Sequence, residues 1–315
     1  MDNVVTVNPQ SEEERCAAAK KFERIDQAFK TGDLEALRAA VGDASVIPNG
    51  EVHNAIGSCL VYAIYHSPLA FIRTLLEIGA DPKTPVLDGF PPLIAALCCA
   101  REVPGANRRD DVDDVIRLLL AFGADPNQRG INDYTALHMA AAERNAMAVQ
   151  LLLEAGADPD LRTRIDECET PLEMARAAGL AGIAGILERR GQPLRQRLRS
   201  GITLLLDIRG NGDPVQRQHT YKTRVRMWLA DGKEVRSDVT DLRINRGHLL
   251  SGVFYGVDGM RVGGTRRLEI APHMAYGDAG IPGIIPPAAS LRVEITILAA
   301  LPPWPVKASA QPNAN

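Results

Sequence analysis

One tetrapeptide recurs in the first half of this chain and constrains what that half can fold into. Gly-Ala-Asp-Pro stands at residues 79–82, 123–126 and 156–159, each time after a leucine-rich stretch. Successive copies begin 44 and 33 residues apart. Glycine readily adopts the left-handed conformation that ends a helix, and Asp-Pro favours a turn over further helix. The pattern therefore predicts a helix end at each copy and an internal repeat.

A second recurring string predicts where the first helix of each unit begins. Its clearest copies are Thr-Ala-Leu-His at residues 135–138 and Thr-Pro-Leu-Glu at 170–173, and weaker ones lie at 58–60 and 91–93. This string and a period of about 33 residues resemble the ankyrin repeat. The resemblance implies an all-α solenoid that captures a protein partner on its surface and does no chemistry by itself.

The resemblance extends over residues 12–193, with about five repeats and a degenerate first unit that opens at a predicted capping box of Ser11 and Glu14. The spacing of 44 marks an insertion near residues 102–114, which is rich in Gly, Pro and charge and is expected to be an exposed loop. His138 is interpreted as a local hydrogen-bonding residue at a helix start rather than a catalytic one.

The charge distribution separates the chain into two halves. Residues 1–188 contain 17 Lys and Arg against 29 Asp and Glu, whereas residues 189–315 contain 19 against 10. The basic residues of the second half are scattered and few aromatics accompany them, so we expect no nucleic-acid partner. A short basic stretch at residues 189–199 is interpreted as the last helix turn and a linker, 194–200, with a docking site for the acidic half as the alternative.

Several classes of function and location are disfavoured. The longest apolar run, residues 93–100, is too short to span a membrane, and the acidic run at residues 12–14 does not fit an export signal. The five cysteines are odd in number and lack CxxC spacing, which predicts reduced thiols and a cytoplasmic protein. The six histidines are isolated from one another, so we expect no metal site built from His and Cys.

From residue 201 onward the pattern changes to β-strands separated by Gly, Asn, Asp and Pro turns. Strands are predicted around residues 203–206, 223–229, 268–270 and 291–298. Residues 252–260 are predicted to form one short helix packed on the sheet. The class of residues 201–301 is therefore α+β, with an antiparallel sheet wrapped on one helix. The proline-rich tail, residues 302–315, is expected to be disordered.

Three runs in this second half are specific. Residues 259–270, 271–277 and 280–287, the last reading Gly-Ile-Pro-Gly-Ile-Ile-Pro-Pro, resemble the signature of FKBP-type peptidyl-prolyl cis-trans isomerases. Residues 210–212 and 229–233 also fit, so the resemblance covers about residues 200–300. It implies catalysis without a nucleophile, acid, base, metal or cofactor.

The resemblance also implies roles for individual residues. Tyr276 gives its hydroxyl to the substrate carbonyl, the Ile285 segment supplies a backbone N–H, and Leu249 and Leu250 line the floor of the pocket. The barrier to rotation about an Xaa-Pro bond is roughly 18–20 kcal/mol because the amide is conjugated. A dry pocket disfavours the planar, charge-separated amide relative to the twisted transition state. The remaining substrate-binding positions are Val225, Val235, Val253, Ile281, Ile284 and Val293.

Several pocket positions depart from the family pattern. Val225, Val253 and Val293 stand where the family has Tyr, Trp and Phe, and Val235 and Arg236 stand where it has Phe and Asp. A further Phe of the family becomes Leu242. An aliphatic pocket is still dry, but it grips a proline ring without aromatic walls, so weak activity is expected.

Two functions follow from these residues. The first is a peptidyl-prolyl isomerase that acts on Xaa-Pro segments of a protein client, with a protein partner recruited by the ankyrin repeats. The alternative is a non-catalytic FKBP-like binding or chaperone module. Tyr276 and the loop at residues 284–287 favour the enzyme, whereas Val253 and Arg236 favour the binding module. A structural role for Tyr276, holding the loop at residues 281–287, is a further alternative.

Overall fold

The structure is a computed structural model that describes residues 12–53, 56–84, 89–99, 108–165, 167–247 and 249–302. The chain divides into two compact units, Met1–Gly191 and Gln192–Asn315. The predicted disordered tail falls, apart from Pro302, outside the described residues, as does Ser11 of the predicted capping box. Within the described residues, every helix is too short or too polar to cross a membrane.

The first unit consists of helices that follow one another in antiparallel pairs. They are α1 (Glu12–Thr31), α2 (Leu34–Val41), α3 (Cys59–His66), α4 (Leu69–Glu77), α5 (Pro92–Cys98), α6 (Val112–Ala121), α7 (Ala136–Ala142), α8 (Ala146–Glu154), α9 (Pro171–Ala177) and α10 (Ala181–Glu188). Each odd-numbered helix contacts the even-numbered helix after it, and α1, α3, α5, α7 and α9 also stack in sequence. The predicted all-α solenoid is confirmed.

The recurring glycines end helices as the sequence predicts. Gly79, Gly123 and Gly156 have φ values of +97°, +89° and +88°. After each glycine, the next backbone N–H donates to the carbonyl five residues earlier, as in Ala124 N to Leu119 O at 3.0 Å. These are the bonds of a left-handed helix end, and they satisfy carbonyls that the helix leaves unpaired.

His138 is a structural residue, as predicted. It is fully buried, and its Nδ1 lies 2.8 Å from Thr135 Oγ1 while its Nε2 lies 3.0 Å from Glu169 O. Burial lowers the pKa of His138. The ring therefore connects the start of α7 to the loop before α9. Thr170 and Glu173 form the corresponding capping box at the start of α9.

The insertion lies between the two helices of the third pair, and residues 102–107 of it fall outside the described residues. The prediction of a loop up to residue 114 is wrong at its end, because residues 112–114 form the first turn of α6. Arg109 fixes this end. Its Nη1 donates to Ile64 O at 3.0 Å and to Ser67 O, and its other nitrogens pair with Asp111 at 2.8 Å.

The second unit is a six-stranded antiparallel sheet in the order β1-β2-β5-β6-β3-β4. Its elements are β1 (Gln196–Arg199), β2 (Ile202–Ile208), β3 (Thr220–Leu229), β4 (Glu234–Arg243), α11 (Ser251–Gly256), β5 (Thr265–Ile270) and β6 (Leu291–Ala300). The predicted α+β class, a sheet with one short helix, is confirmed. The predicted alternation of β3 is also confirmed, with Thr223, Val225, Met227 and Leu229 buried.

Two strands were not predicted. β1 lies inside the predicted linker, residues 194–200, so that prediction is wrong for residues 196–199, which pair with β2. β4 was missed because it is an edge strand whose residues are largely exposed on both faces, so it lacks an apolar alternation.

Candidate functional site

Two glycines let α11 pack unusually close to the sheet. A Cβ atom added to Gly252 would lie 2.3 Å from Ile270 Cγ2, and one added to Gly256 would lie 2.1 Å from Leu268 Cδ1. Both distances are shorter than any real carbon–carbon contact, so a larger residue at either position would force a neighbouring group to shift. The first turn of α11, which carries Val253, is thereby held directly against β5.

The predicted site residues, with one exception, belong to a single hydrophobic core cluster between the sheet and α11. Those that are fully buried there are Val225, Val253, Ile285 and Val293. Those that are half-buried and pack against the cluster are Leu249, Leu250, Val235, Ile281 and Tyr276, as does Leu242. Together they form an apolar floor with a partly exposed rim. The exception is Ile284, whose exposure is 52%.

The sheet register explains why residues distant in sequence meet here. Val225 on β3 pairs with Ile295 on β6, and Val293 pairs with Met227, so Val225 and Val293 are diagonal neighbours on the buried face. Val235 sits at a register shift between β3 and β4. Such a bulge turns a side chain out of strict alternation, which brings Val235 to the cluster from an otherwise exposed strand.

The loop that carries Ile285 closes on itself. Ile281 N donates to Ile285 O at 2.8 Å, and Ile285 N donates to Ile281 O at 2.9 Å. The expectation that this segment gives the Ile285 N–H to a substrate is therefore wrong in this structure, because that donor already has a partner. Gly280, at φ +62°, is required for the loop, since an added Cβ would lie 2.3 Å from Ile285 O.

A different backbone donor lies beside the cluster. Among the described residues, Leu250 N donates to no acceptor, although Leu250 is half-buried and its carbonyl accepts from Phe254 N at 2.9 Å. Leu250 precedes α11 and has no side chain that could cap the helix. The side chain at the start of a helix caps N–H groups further along the helix and not its own, so no sequence signal identifies this N–H.

Tyr276 presents an unpaired hydroxyl. Within the described part of the chain this hydroxyl makes no hydrogen bond, so it does not hold the loop at residues 281–287 by that means, although Tyr276 O accepts from Gly280 N at 3.3 Å. Arg236 lies close enough to Tyr276 for an electrostatic interaction between the two side chains. Its Nε and Nη2 donate to Asp238 at 2.6 and 2.9 Å, and this hydrogen bonding is the main reason why the pKa of Arg236 is raised.

The chemistry of this arrangement is that of an apolar surface with hydrogen-bond donors at its edge. Such a surface can exclude water from a bound ring, and the donors can orient an amide carbonyl. Among the residues that the structure describes, no group of three or more His, Cys, Asp and Glu side chains could hold a metal ion.

Comparison with known proteins supports both predicted resemblances. The sequence model of the FKBP-type peptidyl-prolyl cis-trans isomerase family matches residues 212–298, and that of ankyrin repeats, in three copies, matches residues 105–190. FK506-binding protein 1 of Dictyostelium discoideum is 31% identical over 100 residues, which are 31% of this chain and 94% of that protein. Peptidyl-prolyl cis-trans isomerase FPR2 of Saccharomyces cerevisiae is 32% identical over 87 residues, 28% of this chain and 64% of that protein.

A third relative is matched over a larger share of this chain. Glycerophosphocholine phosphodiesterase gde1 of Schizosaccharomyces pombe is 28% identical over 170 residues, 51% of this chain and 14% of that protein. The chain therefore spans less than two thirds of the length of gde1 and of FPR2. The Dictyostelium protein is matched over nearly its whole length. On this evidence the chain belongs to the FKBP-type peptidyl-prolyl cis-trans isomerase family and carries ankyrin repeats ahead of its FKBP-type domain.

Proposed function

We propose that the FKBP-type domain catalyses cis-trans isomerisation of Xaa-Pro bonds in a protein client. The observation that supports this most is the gathering of the predicted site residues, all but Ile284, on one apolar cluster, beside which the Tyr276 hydroxyl and the Leu250 N–H have no partner among the described residues. Proline recognition needs an apolar surface for the ring and donors for the neighbouring carbonyls. The site offers both.

The catalytic effect comes from the environment of the amide. In water the barrier to rotation about this amide bond is roughly 18–20 kcal/mol. The apolar floor lowers this barrier because it disfavours the planar, charge-separated amide relative to the twisted transition state. The Leu250 N–H and the Tyr276 hydroxyl donate to substrate carbonyls and fix the peptide across the cluster. Ile285 contributes its buried side chain, since its N–H is used within its own loop.

The lining of the site also favours weak binding of the substrate. The walls of the site are aliphatic at Val225, Val253 and Val293, and aliphatic side chains lack the stacking that aromatic walls offer. The rim carries the Arg236–Asp238 ion pair, which is half exposed and adds no net charge. Turnover on a short free peptide is therefore expected to be slow.

Recruitment by the ankyrin repeats compensates for a weak site, because tethering raises the local concentration of the client. Two exposed isoleucines support such a role. Ile131 is 36% exposed and Ile165 is 47% exposed, and they occupy the loops that follow α6 and α8 in successive repeats. They offer an apolar contact to a protein partner. All five cysteines are free, which fits the reducing environment of the cytoplasm.

The test is the cis-to-trans relaxation rate of a short Xaa-Leu-Pro-Phe peptide in the presence of the full chain. We expect a rate above the uncatalysed background, whose time constant is tens of seconds. Tyr276→Phe removes one hydroxyl from the site and is expected to lower the catalysed rate several-fold. Tyr255→Phe removes a hydroxyl from the same domain and is the matched control, expected to leave the rate unchanged.

The Leu250 N–H can be tested separately from its side chain. Leu250 has φ −53°, which proline adopts without strain, so Leu250→Pro removes the N–H and keeps the backbone path. Leu250→Ala shortens the side chain and keeps the N–H. If the N–H binds substrate, Leu250→Pro loses at least about tenfold more activity than Leu250→Ala. Equal loss in the two variants would show that only the side chain matters.

The second candidate, a binding module without turnover, is favoured by Val253 at the floor and by Arg236 at the rim. It predicts no acceleration of the relaxation by a chain whose fold is intact by circular dichroism, together with saturable binding of the same peptide that Leu250→Ala weakens.

A further inference from the structure

A cavity of about 220 Å³ lies in the FKBP-type domain, apart from the apolar site. It is formed where β2 ends and β5 begins, next to the segment that follows α11. None of the predicted proline-site residues lines it. Three arginines do, Arg209, Arg261 and Arg266, together with the carboxylate of Asp207.

Arg266 forms the fixed part of this cavity. Its side chain is only 9% exposed, and its Nε and Nη2 each donate to Asp207 at 3.1 Å. Its Nη1 donates to Gly256 O and to Asp258 O, both at 2.8 Å. Arg266 is thus held on two sides, and it neutralises the only carboxylate among the lining residues.

The other two arginines have donors to spare. Arg261 uses its Nε for Gly212 O at 2.8 Å, and its two Nη groups donate to none of the described residues. Arg209 is exposed and makes neither a hydrogen bond nor an ion pair with any residue in the described ranges. The guanidinium groups of Arg209 and Arg261 therefore have no carboxylate partner in the part of the chain that the structure describes.

The charge balance specifies the ligand. Three guanidinium groups and one carboxylate leave two net positive charges at the cavity. Guanidinium groups bind planar pairs of oxygens on carboxylates and phosphates through parallel hydrogen bonds. A phosphate monoester carries about −1.5 to −2 charges at neutral pH and three acceptor oxygens, which matches two unpaired arginines better than a single carboxylate does.

We propose that this cavity binds a phosphate group, presented either as inorganic phosphate or as a phosphorylated side chain of a protein. Arg209 and Arg261 bind its oxygens, and Arg266 with Asp207 holds the wall in place. Phosphate binding at this cavity does not depend on isomerase activity, so it can be tested independently of the proposed function.

The experiment is a calorimetric titration of the full chain with inorganic phosphate at pH 7.5 and constant ionic strength. The variant is Arg209→Gln with Arg261→Gln. The control is Lys222→Gln with Arg292→Gln, which removes the same charge from exposed positions on β3 and β6. We expect the cavity variant to bind at least about tenfold more weakly than the unmodified chain and the control to stay within about twofold.

A parallel titration distinguishes the two sources of phosphate. A short phosphoserine peptide that binds more tightly than inorganic phosphate, while its serine counterpart does not bind, assigns the site to a phosphorylated protein. Tighter binding of inorganic phosphate assigns it to the free ion. Arg209→Gln alone serves if the double variant misfolds, because the Arg209 side chain makes no hydrogen bond or ion pair with any other described residue.

Two outcomes overturn the proposal. One is phosphate that produces no more heat than sodium chloride at the same ionic strength. The other is equal weakening in the cavity variant and the control, which would indicate attraction to overall charge and no specific site.

Discussion

Replacing Gly252 by alanine adds a single methyl group at the closest contact between α11 and the sheet. The new Cβ would lie 2.3 Å from Ile270 Cγ2, whereas ordinary contacts begin at 3.4 Å, so the two groups must separate by more than an ångström. Ile270 is fully buried and β-branched, so its Cγ2 is attached next to the backbone and cannot rotate away. The helix has to move instead.

The cost follows from this displacement. Overpacking of a buried contact costs about 1–3 kcal/mol, and the better helix propensity of alanine returns about 1 kcal/mol. Because the overlap exceeds an ångström, the overpacking cost lies in the upper half of its range, and we expect Gly252→Ala to destabilise the domain by about 1–2 kcal/mol. Activity should fall further than stability, because the moving turn carries Val253 and follows Leu250, and a misplacement of this size in a site can cost about a hundredfold in rate.

The assay combines urea unfolding with the peptide relaxation rate. Gly256→Ala is the matched comparison in the same helix, since its new Cβ meets Leu268 Cδ1, the tip of a side chain that can change rotamer, and its cost should be the smaller. Gly182→Ala in α10, where nothing lies within 4 Å, should stabilise the repeats by about 0.5–1 kcal/mol. An unchanged urea midpoint and rate for Gly252→Ala would refute the packing argument.

Three further predictions concern stability. The N–H of Thr170, followed by the side chain of Arg162, lowers the pKa of Glu173 from 4.5 to about 2. The ionised Glu173 carboxylate therefore stabilises the folded chain above about pH 4.5, and this stabilisation is lost as the pH falls towards 2. The difference in melting temperature between the unmodified chain and Glu173→Gln should accordingly narrow from pH 6 to pH 2. A difference that stays constant over this range would contradict the prediction. His138→Ala leaves buried partners unpaired and opens a cavity, so a loss of about 2–4 kcal/mol is expected in urea unfolding, and a loss below about 1 kcal/mol would contradict its structural role. Glu294 is only 4% exposed and pairs with Arg267 at 2.7 Å. Glu294→Ala should lower the free energy of unfolding by about 3–5 kcal/mol, and the double variant Glu294→Leu, Arg267→Met should lower it much less. Equal losses in the single and the double variant would argue against coupling between the two residues.

The helical unit was predictable because its signals are local. A glycine with positive φ ends a helix whatever lies elsewhere in the fold, so Gly79, Gly123 and Gly156 could be read directly from the sequence. The alternation of β3 was readable for the same reason, since one buried face imposes a period of two residues. The assignment to two families followed from motifs of the same local kind.

The strands at the sheet edges were not predictable in this way. β1 lies within the predicted linker and β4 matches no predicted strand, because edge strands have few buried side chains and form only where a neighbouring strand offers hydrogen bonds. Which hydrogen-bond donors of the candidate site stay unpaired was equally beyond the sequence. The closure of the loop between Ile281 and Ile285 uses the Ile285 N–H, whereas the Leu250 N–H has no acceptor among the described residues.

The sequence by itself therefore determined the repeat and the class of the second domain, because each depends on patterns of residues close together in the chain. Tertiary structure alone decided which side chains gather on the apolar cluster, which hydrogen-bond donors lie beside it and which arginines share a cavity. Arg209, Arg261 and Arg266 come from segments up to 57 positions apart and meet only because β2 pairs with β5. Such meetings depend on strand pairing across the sheet, which no local pattern encodes.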